Sequence, residues 1–162
     1  MYKSSFAIVV GMMTLGAGCG GDGGGSYSAA DILDQMPEGA IEGADWTMVE
    51  AVVEAGDTAT DDLSVTLLAE DVEACGFGLQ GDVVLFSIPR AVGEYPLHFD
   101  FSEDSQTVTF YSEATNNNVI ASNGLVVVEG VSDTEVTIGL AADAGDSTVN
   151  GRFTATICES PF

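Results

Sequence analysis

The chain has 162 residues, of which 26 are Asp or Glu and three are Lys or Arg, so its formal net charge at pH 7 is −23. Such an acidic surface repels nucleic acids and anionic lipid headgroups, which excludes both as expected partners, whereas cations and basic proteins are attracted. Apolar residues make up 46% of the chain, which argues against disorder and predicts one globular domain.

Residues 1–18 are typical of a cleaved bacterial secretion signal. Lys3 precedes an apolar stretch from residue 6 to 15, and the small residues Gly16, Ala17 and Gly18 lead to Cys19. The segment resembles a lipoprotein signal with its lipid-attachment cysteine, although Gly16 stands where leucine is usual. The apolar stretch is about half as long as the roughly 20 residues that a spanning helix needs. We therefore expect cleavage after Gly18 and acylation of Cys19; the alternative is an ordinary secretory signal.

This resemblance implies a protein held in the bacterial cell envelope by its N-terminal lipid. By the sorting rules of enterobacterial lipoproteins, Gly20 in place of Asp favours the outer membrane, with a secreted or periplasmic protein as the alternative. With residues 1–18 removed, Arg90 and Arg152 alone oppose the 26 acidic residues, and the side chains sum to −24. The acidity is explained by solubility or a saline habitat, or alternatively by cation binding.

The segment between the lipid and the domain divides into a tether and a linker. Residues 19–27 are the glycine-rich tether, and residues 28–43 are predicted to be a linker with one short helix. Ser28 and Asp31 have capping-box spacing, and Pro37 ends the helical pattern.

Residues 44–162 are expected to form an all-β domain. Apolar and polar residues alternate in short runs separated by turn residues, which predicts an antiparallel β-sandwich of about seven to nine strands, or alternatively a small barrel. In the strand predicted at 95–101, Leu97, Phe99 and Phe101 face the core while His98 and Asp100 face solvent. The predicted strands are 46–55, 62–69, 82–88, 95–101, 106–112, 123–129, 134–141 and 149–157.

Two runs, 83–86 and 125–128, are apolar at every position. A strand of this composition has both of its faces covered. We therefore expect both runs to be central strands or strands covered on both sides.

Three glycine-containing elements resemble those of small bacterial envelope β-sandwich lipoproteins of unassigned function. They are Gly93-x-Tyr95-x-Leu97, the strand beginning at Gly124, and the closing Val149-x-Gly-x-Phe-x-Ala155. The resemblance covers roughly residues 45–158 and implies a structural or binding module, with no catalytic residues to carry over.

The three cysteines divide into Cys19 and a pair near or within the predicted strands. If Cys19 takes the lipid, Cys75 and Cys158 remain in an oxidising compartment, where a disulfide between them is expected. Cys158 falls on the opposite strand face from Phe153 and Ile157, so the bond is predicted at the rim or outer face of the domain unless the strand twists at its end.

Other residues are weaker candidates for chemistry. His98 is the single histidine, which argues against a zinc site or a Ser/His/Asp triad. Acidic pairs such as Asp61-Asp62 lie in turns, so no catalytic pair is predicted and no cofactor is expected. Arg90 and Arg152 are expected to form ion pairs. A weak Ca²⁺ site would use turn carboxylates, although neither acidic loop has the EF-hand spacing; the candidates are Asp57, Asp61, Asp62, Asp143 and Asp146.

Trp46, Tyr95 and Tyr111 are candidates for stacking on sugar rings, but core or edge packing is the favoured explanation. Together these patterns predict a monomeric, lipid-anchored, non-catalytic binding or structural module, with a protein or glycan partner that the sequence does not specify. A Ca²⁺- or glycan-binding adhesion module is the alternative, and a hydrolase is a remote one.

Overall fold

The computed structural model describes residues 27–56, 62–73, 75–76, 81–101 and 105–158. These residues form an all-β chain in which one 3₁₀ turn, Ala29–Asp31, precedes the strands. No helix in these ranges is long and apolar enough to cross a membrane. The strands are β1 Glu38–Ile41, β2 Ala44–Thr47, β3 Glu50–Ala55, β4 Asp62–Leu68, β5 Val83–Pro89, β6 Gly93–Pro96, β7 Val108–Ser112, β8 Asn117–Ala121, β9 Asn123–Val131, β10 Glu135–Ala144 and β11 Ser147–Cys158.

The strands form one curled, mixed sheet with the shape of a half-barrel. Its order is β6-β9-β10-β11-β3-β4-β5-β7-β8, and the β1–β2 hairpin pairs with the start of β11. The all-β prediction is confirmed, but the sheet is not purely antiparallel. The end of β11 runs parallel to β3, with Ile157 opposite Val53. A twelve-residue strand is long enough to pair with one partner near its start and another at its end, which is how β11 joins the two limbs of the sheet.

The core fills the concave side of this sheet. Alternate residues of the long strands point inward, as period-two patterning requires, and Val149, Phe153 and Ile157 of β11 are all buried. Phe110 of β7 is fully buried among them. Each such side chain contributes about 1.5–3 kcal/mol by leaving water, so the core holds together strands that are distant in the sequence.

Several predicted boundaries change in the structure. The predicted strand 46–55 is two strands, and β1 lies within the predicted linker, where it pairs with β11 at Gly39 and Val149. A Cβ on Gly39 would lie 2.1 Å from the carbonyl oxygen of Thr148, so close strand contact explains this glycine. The predicted short helix is only the turn Ala29–Asp31, and β8 forms where a loop was expected.

Residues 27–37, here called the N-terminal strap, cross the outer side of the sheet. Ile32 is buried against Leu125 of β9 and Ala141 of β10, and Val127 packs beside them. Val126 and Val128 face the main core instead. The prediction that the run 125–128 is covered on both sides is therefore confirmed, and the strap is what covers its outer side.

Arg152 and Asn150 of β11 hold the strap. The Arg152 guanidinium donates to the Ile32 carbonyl (2.7 Å), to the Ala29 carbonyl (3.3 Å) and to the Glu129 carboxylate (2.7 Å). The Asn150 side chain donates to the Asp31 carbonyl (2.9 Å) and accepts from the backbone N–H of Leu33 (2.8 Å). Arg152 therefore forms the expected ion pair. It also donates hydrogen bonds to two strap carbonyls, which lie outside the strands.

The first residue of the strap gives a testable pH dependence. The Tyr27 hydroxyl donates to Asp143, and burial together with this carboxylate raises the pKa of Tyr27 to about 12. The folded-state pKa lies above the ordinary value of about 10. The bond from the protonated Tyr27 hydroxyl therefore contributes its full stability below pH 10, and this stability is lost as the pH rises toward 12. We expect Tyr27→Phe to flatten the alkaline decline in melting temperature measured from pH 8 to 12.

Tyr111→Phe is the control for this experiment, since the Tyr111 hydroxyl bonds Asn116 in the β7–β8 turn rather than the strap. It should leave the alkaline decline of the unsubstituted protein in place. Equal declines for Tyr27→Phe and the unsubstituted protein would show that the Tyr27–Asp143 bond makes no contribution to stability that is lost between pH 10 and 12.

Candidate functional site

A surface groove lies between β5 and β6, where the two limbs of the curled sheet approach each other. It encloses about 590 Å³, a volume within the usual range for ligand sites. The groove brings together three residues that the sequence singled out separately, Asp62, Tyr95 and His98. This β5–β6 groove is lined by Asp62, Ser87, Ile88, Pro89, Glu94, Tyr95, Pro96, His98, Ser105 and Gln106.

Both sides of the groove are strand edges. On one side, β5 pairs with β7 only from Val83 to Phe86, so residues 87–89 extend past β7. There the Gln106 side chain donates to the Ser87 carbonyl (2.7 Å). On the other side, β6 pairs with β9 and is the last strand of its limb. The groove is therefore bounded by backbone that has a sheet neighbour on one side only.

The alternation of an antiparallel pair decides which atoms of β6 point into the groove. The N–H of Leu97 donates to Gly124 on the β9 side (2.9 Å), and the N–H of His98 donates to Gln106 on the opposite side (2.7 Å). Since these directions alternate along a strand, the N–H and C=O of Glu94 point away from β9. Glu94 thus directs one backbone donor and one acceptor away from β9, and neither pairs with backbone of the described residues.

Tyr95 owes its position to Gly93. A Cβ on Gly93 would lie 3.1 Å from the Tyr95 hydroxyl, and that hydroxyl donates to the Ala91 carbonyl (2.8 Å). The ring therefore folds back over the β5–β6 turn, where a side chain at position 93 would crowd it. Leu97 follows as a buried residue. The Gly-x-Tyr-x-Leu element is thus a turn-packing device that places a tyrosine in the groove wall.

Two exposed phenylalanines lie on the loop beside the groove. Phe99 and Phe101, here called the Phe pair, are 49% and 96% exposed. Their rings meet edge to face with centroids 4.8 Å apart. The Ser105 hydroxyl, at the groove, accepts from the Asp100 N–H (2.9 Å) and donates to its carbonyl (2.8 Å), which holds the loop between the two rings.

The Phe pair corrects the prediction that Phe99 and Phe101 face the core. Strand β6 ends at Pro96, and only an isolated bridge between His98 and Gln106 continues the pairing. Without a strand there is no alternation to bury the rings. Pro96, which interrupts pairing in a strand, is the signal in the sequence that could have marked this end.

The imidazole of His98 is exposed at the rim of the groove, where its Nδ1 lies 3.2 Å from the Pro96 carbonyl oxygen. Across the described ranges, no three His, Cys, Asp or Glu side chains are grouped closely enough to hold a metal ion. The Asp143 carboxylate accepts from Tyr27 and Asn123 instead. Asp146 lies in the β10–β11 turn and is exposed. Asp57 and Asp61, like Cys19, lie outside the described residues.

The other two aromatic candidates lie away from the β5–β6 groove. Trp46 is buried, and its indole N–H donates to the Asp82 carbonyl (3.0 Å). Tyr111 lies on β7 with its hydroxyl 3.2 Å from Asn116. Of the three aromatic residues proposed for stacking, Tyr95 alone lines this groove, and the Phe pair was not among them.

The predicted disulfide is confirmed. Cys75 and Cys158 are bonded, with their Cα atoms 5.5 Å apart. Cys158 is buried and Cys75 is exposed, so the bond runs from the surface loop into the end of β11. It fastens this end beside the parallel β11–β3 pairing.

Arg90 lies near the β5–β6 turn but is already engaged. Its guanidinium donates to the carbonyls of Ser132 (3.1 Å) and Asp133 (3.0 Å), and the Asp133 carboxylate lies 3.8 Å away. Asp62 and Glu94 form no ion pair with any residue in the described part of the chain. The groove therefore carries two carboxylates that no Lys or Arg of the described residues pairs with.

Comparisons of this chain with protein-family models, with curated proteins and with solved structures found no match.

Proposed function

We propose that the chain is a lipid-anchored protein of the bacterial cell envelope whose β-domain binds a partner without catalysis. The signal-like residues 1–18, Cys19 and the glycine-rich tether support the anchor. The disulfide between Cys75 and Cys158 is consistent with an oxidising compartment. The observation that carries the binding role is the exposed Phe pair beside the β5–β6 groove, because exposed apolar rings next to a concave surface are typical of interaction sites.

A glycan-binding adhesion module is the second candidate. Tyr95 lines the same groove as the carboxylates of Asp62 and Glu94 and the amide of Gln106. An aromatic face combined with hydrogen-bonding side chains suits a sugar ring, which has an apolar face and polar edges. This candidate shares the anchor and differs only in what the groove holds.

The anchor is tested by Cys19→Ala. Without the thiol no acyl chain can be attached, so the variant should leave the detergent-soluble membrane fraction or accumulate as the uncleaved precursor. The unsubstituted protein should remain in that fraction, and its N-terminal peptide should carry the mass of a lipid-modified Cys19. The double variant Cys75→Ser/Cys158→Ser is the control, since it removes thiols without touching the anchor. An unmodified N-terminus at any residue other than 19 would contradict the proposal.

A further inference from the structure

We propose that the β5–β6 groove holds a basic, extended peptide segment of a partner protein, with the Phe pair as its apolar contact. This inference rests on the proposed binding role and gives that role a ligand chemistry. It follows from three features of the groove: its strand edges, its charge and its exposed rings.

The strand edges favour an extended chain. Residues 87–89 on one side and Glu94 on the other each have a sheet neighbour among the described strands on one edge only. An added strand needs such an edge, since its main chain supplies the hydrogen bonds while its alternate side chains give specificity. The Gln106 amide already occupies the Ser87 carbonyl as a neighbouring strand would, so the free positions lie at Glu94.

The charge favours a basic segment. Asp62 and Glu94 form no ion pair among the described residues, and the chain carries 26 acidic residues, which after removal of residues 1–18 face two arginines that are both engaged elsewhere. The field of such a domain draws in a cationic segment and repels an acidic one. A neutral glycan would gain nothing from this field, which is why the observations favour a basic peptide over a sugar.

The Phe pair supplies the apolar contact. Phe101 is 96% exposed. Contact between this apolar ring and water is unfavourable, and a partner that covers the ring removes it. The face of a phenylalanine ring also attracts a guanidinium or ammonium group. A segment that alternates basic and aliphatic residues would meet the rings with one set of side chains and the carboxylates with the other.

The test uses the full mature chain in non-ionic detergent micelles and a fluorescein-labelled nine-residue peptide of alternating Arg and Val. Binding is followed by fluorescence anisotropy at 50 and 300 mM NaCl. Two probes are compared with it, the matching Glu-Val peptide and a β-linked glucose hexasaccharide. We expect the Arg-Val peptide alone to bind, with an affinity that falls as salt rises.

Two variants are paired with controls of the same chemistry. Phe101→Ala should weaken binding of the Arg-Val peptide by about fivefold, whereas Ile120→Ala, an exposed apolar residue of β8, should change it less than twofold. Glu94→Gln should weaken binding by about threefold or more at 50 mM NaCl. Glu135→Gln on β10 alters the net charge equally and should change binding less than twofold. The Glu94 amide should also exchange more slowly in the complex.

Equal losses in each variant and its control would show attraction by net charge alone and would overturn the inference. Binding of the hexasaccharide in preference to the peptide would overturn it in favour of the glycan. Failure of every probe to bind would also overturn the inference. The lipid on Cys19 is measured separately, and its absence would refute only the proposed anchor.

Discussion

Replacing Cys75 and Cys158 together with serine is expected to lower the free energy of unfolding by about 2–5 kcal/mol. The bond joins residues 83 positions apart, and closing a loop of that length restricts the unfolded chain by about 4–5 kcal/mol in the chain-entropy description. In the folded state the bond fastens the end of β11, which otherwise meets β3 through only two residue pairs, Ile157–Val53 and Cys158–Glu54. Denaturant unfolding of the oxidised protein and the double variant measures the difference.

Reductant provides the matched control for this prediction. Treating the unsubstituted protein with a thiol should bring its unfolding midpoint close to that of the double variant, while the variant itself should not respond. Cys75 is exposed, so the reagent can reach the bond without prior unfolding. Coincident midpoints for the oxidised protein and the double variant would contradict the prediction and would leave the core to hold the last strand.

The second large effect is expected at Gly151, where the strap lies against β11. A Cβ at this position would come within 2.5 Å of the Pro37 nitrogen and 2.7 Å of the Gln35 carbonyl oxygen. Both are backbone atoms, so Gly151→Ala must push the strap away, weakening the bond from the Arg152 N–H to Gln35 (2.7 Å) and exposing Ile32. Overpacking and the lost burial together should lower the free energy of unfolding by about 2–4 kcal/mol.

Gly130→Ala is the control, since a Cβ there has no atom within 4 Å and should change stability by no more than about 0.5 kcal/mol. Urea unfolding gives the free energies, and limited proteolysis reports whether residues 27–37 are released. Gly151→Ala should be cleaved within the strap faster than Gly130→Ala. Equal stability and equal cleavage of the two variants would show that the strap is not held at Gly151.

The sequence alone determined the all-β class and the disulfide, for reasons that are local or numerical. Alternation such as Val136, Ile138 and Leu140 is a property of one strand, and it survives whichever strands become neighbours. The pairing of Cys75 with Cys158 followed from expecting Cys19 to be taken by lipid. The apolar run 125–128 likewise predicted that its outer side is covered, but it did not identify the covering segment.

The tertiary structure decided what depends on contacts between distant parts of the chain. The parallel β11–β3 pairing, the strap over β9 and β10, and the role of Arg152 join residues about 100 or more positions apart, and no local pattern specifies such a partner. The Phe pair shows that a local pattern can also predict a contact that the fold does not make. Phe99 and Phe101 alternate as core residues do, yet β6 has already ended at Pro96, and alternation buries a side chain only while a neighbouring strand keeps the backbone extended.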